Sequence, residues 1–242
     1  LELDVGLHRG GFADAESLRA ALGRINADPQ HLQLGGFMGY EAFIAKLPNQ
    51  QGRLADTIAL YKDYVAAGQA AYPQLFEGEL TFNIGGSGTY QMYDSETYFN
   101  DISAGSGVVM PTDFDLPTLA SHQSASFIAT PILKHYDEVL VPGIEFAAPL
   151  FPAWNPNRQQ SFYIYGGNWQ ASYVNPPGLC NNPVWGHSSN QEMVNASLRV
   201  PLVVGDFVFL RPHQSEAVFL QFGDILTLRD GHLAQPWPVF TS

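Results

Sequence analysis

The pattern of hydrophobic and polar positions changes near residue 110. Before that point, short apolar runs alternate with segments whose apolar residues recur every three or four positions, which predicts strands alternating with helices. The predicted elements are strands at 1–5, 32–37, 80–84 and 106–110 and helices at 14–27 and 53–71. Strands that are separated by single helices are typical of parallel βα units. Residues 1–110 therefore form an α/β domain in this interpretation.

Beyond residue 110, helical periodicity disappears, and proline, glycine and aromatic residues become more frequent. Turn-forming residues separate several short apolar or alternating runs, which we interpret as strands. The predicted strands cover 127–132, 139–141, 162–166, 202–204, 207–210, 217–222 and 225–228. This texture predicts that residues 111–242 form a β domain of barrel or sandwich type.

The residues that follow the first three strands include several with useful chemistry. In parallel sheets, ligands are handled by loops at the carboxyl ends of the strands. His8, Arg9, Tyr40, Ser87 and Thr89 all occupy such loops, so we expect them to converge on one edge of the sheet.

The number of βα units leaves two architectures open. A complete (β/α)₈ barrel takes about 250 residues for eight units. Residues 1–110 hold roughly three and a half units by the same measure. The domain is therefore either a small open sheet or the C-terminal part of an eight-stranded barrel. The strand-like start at Leu1 favours the second alternative.

The turn after the third strand, Gly85-Gly86-Ser87-Gly88-Thr89, is the strongest candidate for ligand binding. Three glycines expose backbone N–H groups, and two hydroxyls add short donors, which together suit a phosphate group. The alternative is a glycine-rich turn that only reverses the chain direction.

Composition narrows the range of partners. The net charge is −12 with only 11 Lys and Arg residues, which argues against nucleic acid or an anionic membrane as a partner. No apolar run approaches the roughly 20 residues needed to span a bilayer. The single cysteine, Cys180, excludes an internal disulfide framework and favours a cytoplasmic location.

Several local motifs occur together and in order. They are Asp4-Val-Gly-Leu-His-Arg-Gly10, Gly36-Phe-Met-Gly-Tyr40, Asn83-Ile-Gly-Gly-Ser-Gly-Thr89, Asp101-Ile-Ser-Ala-Gly-Ser106, and the ending Val204-Gly-Asp-Phe-Val-Phe-Leu-Arg-Pro-His213, Leu228-Arg-Asp-Gly231 and Trp237-Pro238. With these motifs the chain resembles the fold-type III pyridoxal-phosphate enzymes over nearly its whole length. Within them it looks closest to the D-serine dehydratase and D-threonine aldolase group, relatives of alanine racemase.

The resemblance implies an alanine racemase-like (β/α)₈ barrel followed by a β domain, and pyridoxal 5'-phosphate as cofactor. It places Arg9 near the substituents of the cofactor ring and Tyr40 against the ring face. The residues that it implies for the cofactor phosphate are Gly85, Gly86, Ser87, Gly88, Thr89, Gly105 and Ser106. The implied protein is a cytoplasmic homodimer that acts on a small D-amino acid.

Two departures from the family pattern concern catalysis and metal binding. Members form a Schiff base through a lysine after the first barrel strand, and Lys46, Lys62 and Lys134 do not match that position. We therefore expect the N-terminal half of the barrel, with its lysine, to lie outside these 242 residues. The family's dehydratases and aldolases also hold zinc, manganese or magnesium through a His-x-Cys or His-x-Asp pair. Here His213 matches, but Ser215 replaces the second ligand, so His213 is a metal ligand or an ordinary hydrogen-bonded histidine.

The function implied by the resemblance is a pyridoxal-phosphate-dependent lyase of D-amino acids with a β-hydroxyl, either a D-serine dehydratase or a D-threonine-type aldolase. An amino-acid racemase of the same fold and a non-catalytic cofactor-binding protein are the alternatives. His187 either faces the active site across a dimer interface or is a surface histidine.

Overall fold

The structure, a computed structural model, describes residues 1–239 and divides the chain into two compact units. The first unit comprises residues 1–108 and 114–122, and the second comprises residues 109–113 and the chain from 123 onward. The chain therefore passes from one unit to the other three times.

The first unit contains a parallel four-stranded sheet and two helices. The strands are β1 (Glu2–Leu3), β2 (Gly36–Gly39), β3 (Thr81–Ile84) and β4 (Asp101–Ile102), in the order β1-β2-β3-β4. The helices are α1 (Ala15–Ala27) and α2 (Gln50–Ala71). The predicted alternation of parallel strands and helices is confirmed.

Both helices pack on the sheet through their apolar stripes. Asp14 caps α1 by accepting a hydrogen bond from the Ser17 amide, which satisfies one of the unpaired N–H groups at the helix start. Leu18 and Leu22 of α1 are fully buried, and so is Tyr61 of α2. The Tyr61 hydroxyl donates to the carbonyl of Phe37 in β2, so its polar end is satisfied inside the core.

Two strand predictions in this unit are wrong. Residues 106–110 were expected to form a strand, but Ser106–Val109 is a 3₁₀ helix, and the fourth strand is Asp101–Ile102. The chain bends there because the amides of Gly105 and Gly107 both donate to the Ser87 hydroxyl instead of to a neighbouring strand. The second strand begins at Gly36 rather than at 32.

The second unit is built on a six-stranded antiparallel sheet. Its strands are β5 (Ile128–Tyr136), β6 (Gln160–Ile164), β7 (Ala171–Asn175), β8 (Cys180–Asn181), β9 (Met193–Ala196) and β10 (Phe207–Pro212), in the order β7-β10-β5-β6-β9-β8. Two short helices, α3 (Leu150–Trp154) and α4 (Ser215–Phe219), and a hairpin of β11 (Leu228–Arg229) and β12 (His232–Leu233) complete it. The predicted β domain is confirmed.

Several predicted strands in this unit are not strands. Half of the run 217–222 falls in α4, where Ser215 and Val218 are buried one helical turn apart, and the rest is a turn. Residues 139–141 and 202–204 lie in loops, and Val139 and Val141 are nevertheless buried in a small cluster with Phe151.

The segment 109–113 is tied to β10 within the second unit. The Arg211 side chain donates to the carbonyls of Met110 and Pro111, at 2.9 and 3.2 Å, and the Asp113 amide donates to the carbonyl of His213. Residues 109–113 connect two parts of the first unit in sequence. These hydrogen bonds hold them in the second unit. Separately, no helix within residues 1–239 combines the length and the apolar character needed to cross a membrane.

Candidate cofactor site

Several residues that the sequence predicts to bind a ligand lie at the carboxyl edge of the parallel sheet. Strand β2 ends at Gly39 and leads into Tyr40, and β3 ends at Ile84 and leads into Gly85. Strand β4 ends at Ile102 shortly before Gly105. Because these strands are parallel, the three loops emerge at the same edge. Arg9, Tyr40 and the glycine-rich turn converge there as expected, whereas His8 is largely exposed and makes its contact with Asp4, with Nδ1 2.8 Å from Oδ2.

The glycine-rich turn directs several of its predicted phosphate donors into the protein. The Gly85 amide donates to Glu41 Oε2 at 3.3 Å, and the Thr89 hydroxyl donates to Glu41 Oε1 at 2.5 Å. The Gly86 amide donates to Thr89 Oγ1 at 3.1 Å. Gly85, Gly86 and Thr89 therefore shape the turn from beneath and do not present these donors to a ligand.

Ser87 occupies the centre of the turn and keeps a donor available. Its hydroxyl oxygen accepts hydrogen bonds from the amides of Gly105 and Gly107, both at 3.0 Å, so Ser106 between them is held beside the turn. A hydroxyl that accepts two bonds still has its own proton to donate. Within residues 1–239, the amides of Ser87 and Gly88 also find no protein acceptor. One hydroxyl and two backbone N–H groups in a narrow turn form a donor set that fits a phosphate group.

Arg9 and Tyr40 lie together next to the turn. The Arg9 guanidinium carbon is 4.7 Å from the centre of the Tyr40 ring, a cation–π contact. Gly86 packs against the same ring so closely that a Cβ atom there would lie 2.5 Å from Tyr40 Cε2. The site therefore combines a positive charge, an aromatic side chain and the turn, as a phosphorylated aromatic cofactor requires.

Glu41 was not among the predicted site residues, although both Gly85 and Thr89 of the turn donate hydrogen bonds to it. Its side chain is fully buried, with 0% exposure. Burial raises its pKa, and the hydrogen bonds from Thr89 and Gly85 partly oppose that rise. The sequence carries one signal that could have revealed it: Glu41 is the only charged residue between Phe37 and Ala45, an otherwise largely apolar run.

The segment 114–122 packs on the turn from the outside. The Thr118 hydroxyl donates to the Gly88 carbonyl at 2.7 Å, and Tyr90 Oη lies 2.6 Å from His122 Nε2. The side chain of Leu116 packs against Gly88: a Cβ atom added at Gly88 would lie 3.1 Å from Leu116 Cδ1. Residues distant in sequence thus help to fix the turn.

His213, the predicted metal ligand, lies at the end of β10 in the second unit. Its Nε2 is 3.0 Å from the Ser172 hydroxyl. Ser215 is buried, and its hydroxyl bonds to Glu216. Among residues 1–239, no three His, Cys, Asp or Glu side chains are grouped as a metal would need, so the metal prediction gains no support.

The three lysines lie in different surroundings. Lys46 is exposed at the end of the 3₁₀ helix Ile44–Lys46. Lys62 pairs with Glu96 at 3.4 Å, and Lys134 bonds to Gln191 at 2.7 Å. The Schiff-base lysine remains unassigned.

A second buried carboxylate, Glu192, organises a loop cluster in the second unit. It is 3% exposed and accepts hydrogen bonds from the Tyr173 hydroxyl at 3.0 Å and the Asn168 amide at 2.6 Å. The Ser188 amide donates to it at 3.4 Å, and His187 Nδ1 lies 3.1 Å from it. His187 is thus anchored on a buried carboxylate while half of its side chain remains exposed.

Comparison with known proteins bears on the fold. No protein-family model and no curated protein matches the chain. The chain is similar in structure to a D-threonine aldolase from Filomicrobium marinum, with a TM-score of 0.65 at 15% identity over 98% of this chain and 61% of that one. For a D-threo-3-hydroxyaspartate dehydratase from Delftia sp. the TM-score is 0.66 at 14% identity, over 100% and 65% of the two chains. For an alanine racemase from Bacillus anthracis it is 0.64 at 12% identity, over 98% and 66%.

These solved structures are fold-type III pyridoxal-phosphate enzymes, so the resemblance seen in the motifs is confirmed at the level of the fold. The chain spans between 61 and 66% of the length of these three proteins. Their match extends over both units and supports the predicted fold class, part of a barrel followed by a β domain. The chain has the fold of the alanine racemase-like pyridoxal-phosphate enzymes.

Proposed function

We propose that the first unit binds pyridoxal 5'-phosphate and that the polypeptide to which the chain belongs is a lyase of D-amino acids that carry a β-hydroxyl. The single observation that carries this proposal is the donor set around Ser87. Its hydroxyl proton and the amides of Ser87 and Gly88 are available at the carboxyl edge of a parallel sheet. The similarity of the fold to pyridoxal-phosphate enzymes supports the same choice of ligand.

The residues of this chain would bind and orient the cofactor. The Ser87 hydroxyl and the two amides would donate to phosphate oxygens, and Arg9 would supply a positive charge beside them. Tyr40, held between Arg9 and Gly86, offers a flat surface for an aromatic ring. When bound, the cofactor supplies an electron-withdrawing system that allows a bond at the substrate's α-carbon to break.

The choice of a lyase rests on the names of two similar proteins. D-threonine and D-threo-3-hydroxyaspartate both carry a hydroxyl on the β-carbon, and the enzymes named for them share this fold. The second candidate is an amino-acid racemase, favoured by the similarity to alanine racemase and by Ser215 standing where the lyases' second metal ligand is expected. The third candidate is a protein that binds the cofactor without catalysis, since no lysine has been assigned to the Schiff base.

Binding of pyridoxine 5'-phosphate tests the cofactor site. This probe has the ring and the phosphate but no aldehyde, so it cannot react with lysines. We expect wild-type protein to bind it, to bind unphosphorylated pyridoxine at least tenfold more weakly, and to lose most of that preference in Ser87→Ala. Equal affinity for the two probes in wild-type protein would contradict the proposal.

Turnover by the full-length protein separates the candidate reactions. A lyase consumes D-threonine or D-serine and releases glycine with acetaldehyde, or pyruvate with ammonia. A racemase instead interconverts the enantiomers of its substrate without a change in composition. Chiral chromatography and ammonia release, measured on the same samples, distinguish these outcomes from a protein without activity.

A further inference from the structure

Glu41 is completely buried, and the groups that hydrogen-bond to its carboxylate are all neutral. Its carboxylate accepts one bond from Gly85 and one from Thr89, and no Lys, Arg or His of the described chain is among the groups that shift its pKa. The titratable side chain that faces it is Tyr93, from the 3₁₀ helix Tyr90–Tyr93 after the turn. The Tyr93 hydroxyl is itself buried, and although it makes no hydrogen bond of ordinary geometry, it lies close enough to Glu41 to stabilise the ionised carboxylate. Burial and the nearby Glu41 raise the pKa of Tyr93, so the tyrosine stays neutral.

The hydrogen bonds around Glu41 can be satisfied in either of its charge states. When Glu41 is ionised, the Thr89 hydroxyl donates to it and accepts the Gly86 amide. When Glu41 is protonated, its own O–H donates to Thr89 Oγ1. The Thr89 hydroxyl then turns to its other acceptor, the Gly86 carbonyl, 3.4 Å away. One proton is gained and one hydroxyl rotates, towards a carbonyl that also accepts the amides of Thr89 and Tyr90.

A phosphate bound at the turn would lie beside this carboxylate. Ser87, the residue with donors for a phosphate, is two residues from both Gly85 and Thr89, whose groups bond to Glu41. Like charges in a buried setting repel strongly because little water screens them. Protonation of Glu41 removes that repulsion, and the second hydrogen-bond arrangement accommodates it.

We propose that Glu41 is a positioning residue for the phosphate-binding turn and that its carboxylate takes up a proton when a phosphate group binds there. The inference rests on the proposed cofactor site, since it requires a phosphate at Ser87. The bound phosphate and the proton on Glu41 stabilise one another, so each raises the affinity of the protein for the other.

Calorimetric titration with pyridoxine 5'-phosphate at pH 8 tests this inference. A free phosphate monoester, with a second pKa of about 6, is already fully ionised at that pH. Titrations in several buffers with different ionisation enthalpies report the number of protons taken up with the ligand. We expect uptake approaching one proton for each phosphate bound in wild-type protein. Where uptake is complete, the affinity should fall by about tenfold for each unit of rising pH.

Two variants and a matched probe serve as controls. Glu41→Gln cannot be ionised, so we expect its proton uptake and the associated pH dependence to disappear, with phosphate affinity at pH 8 equal to or higher than that of wild-type protein. Thr89→Ser keeps the hydroxyl, so we expect its proton uptake to persist. Unphosphorylated pyridoxine should bind without proton uptake.

The outcomes separate this inference from the proposed function. Failure of wild-type protein to bind the phosphorylated probe preferentially would overturn the cofactor site, and the role of Glu41 with it. Preferential binding without proton uptake, or equal uptake in wild-type protein and Glu41→Gln, would overturn only the role of Glu41. If Glu41→Gln does not fold, the infrared difference spectrum of wild-type protein decides. A protonated-carboxyl band that grows as the phosphorylated probe binds supports the inference, and its absence contradicts it.

Discussion

The two units each bury a glutamate in loops beside a sheet, and the two glutamates are held differently. Glu41 in the first unit accepts hydrogen bonds from a backbone amide and a threonine hydroxyl, and the buried Tyr93 hydroxyl faces it. Glu192 in the second unit has an amide at 2.6 Å, a tyrosine hydroxyl, a longer bond from a second amide, and a histidine beside it. A buried carboxylate is stabilised by the groups that donate hydrogen bonds to it. The two glutamates therefore differ in how strongly their ionised forms are stabilised, although both are buried.

The difference separates a fixed site from an adaptable one. Removing Glu192 would leave several donors without an acceptor, which is the signature of a structural anchor. Glu41 is contacted by neutral groups, and rotation of the Thr89 hydroxyl accommodates either of its charge states. We expect the first site to respond to ligands and pH, and the second mainly to hold the loop that carries His187.

The largest expected effect is on the anchor in the second unit. Glu192→Ala should lower the free energy of unfolding of that unit by about 3–5 kcal/mol, because Tyr173 and two amides lose their acceptor in a buried place. Urea denaturation followed by tryptophan fluorescence measures this, since all four tryptophans lie after residue 122. Glu192→Gln, which keeps one acceptor oxygen, should lose less. A loss below about 1 kcal/mol for the alanine variant would show that the cluster is not structural.

A smaller loss is expected from the hydroxyl that links Glu41 to the turn. Thr89→Val keeps the shape of the side chain but removes the bond to Glu41 and the acceptor for the Gly86 amide. It should destabilise the first unit by about 1–3 kcal/mol, while Thr89→Ser should stay close to wild-type protein. Far-ultraviolet circular dichroism during urea denaturation follows the helices of this unit. Equal stability of the valine and serine variants would contradict this account.

The pH dependence of stability should report on Glu41. Because burial raises the folded-state pKa of Glu41, the folded state holds its proton more tightly than the unfolded state does. The stability that this proton provides is complete below the ordinary glutamate pKa. It is lost as the pH rises through the folded value, with a slope of at most about 1.4 kcal/mol per pH unit. Urea midpoints measured across this range should show the decline in wild-type protein and a flatter profile in Glu41→Gln.

The smallest effect is expected at the exposed edge of the site. Arg9→Ala removes the cation–π contact with Tyr40 and a positive charge beside the turn, and should weaken binding of pyridoxine 5'-phosphate by about two- to fivefold. Arg9→Lys should recover part of the loss. Titration calorimetry measures both, and unchanged affinity in the alanine variant would exclude Arg9 from the site.

Much of the fold could be predicted from the sequence because local periodicity and burial agree in its regular parts. The buried residues of α1 and α2 recur every three or four positions, and the strand before the glycine-rich turn ends at its predicted residue, Ile84. The failures lie where tertiary contacts overrule local pattern. The run at 217–222 fits a strand or a helix equally well, and residues 106–109 bend because Ser87 binds the amides beside them.

Only part of the site could be predicted from the sequence. The glycine-rich turn, Arg9 and Tyr40 could be nominated because their residue types and positions after strands suit a phosphorylated ring. The direction of each donor could not be predicted, because Gly85 and Thr89 donate to a carboxylate more than forty residues away, and Gly86 donates to Thr89. A charged residue in a loop is usually solvated, so Glu41 carried no chemical signal apart from its apolar surroundings.

The alternation of the chain between the two units has a practical consequence for dissecting the protein. A fragment that stops at residue 110 would omit Thr118 and His122, which pack on the glycine-rich turn, whereas a fragment of residues 1–122 would keep them. That longer fragment would remove Met110 and Pro111 from the second unit, where their carbonyls accept hydrogen bonds from the Arg211 side chain. No single cut therefore yields both units whole. Isolating the second unit calls for a recombinant in which residues 109–113 are supplied again, for example as a separate peptide.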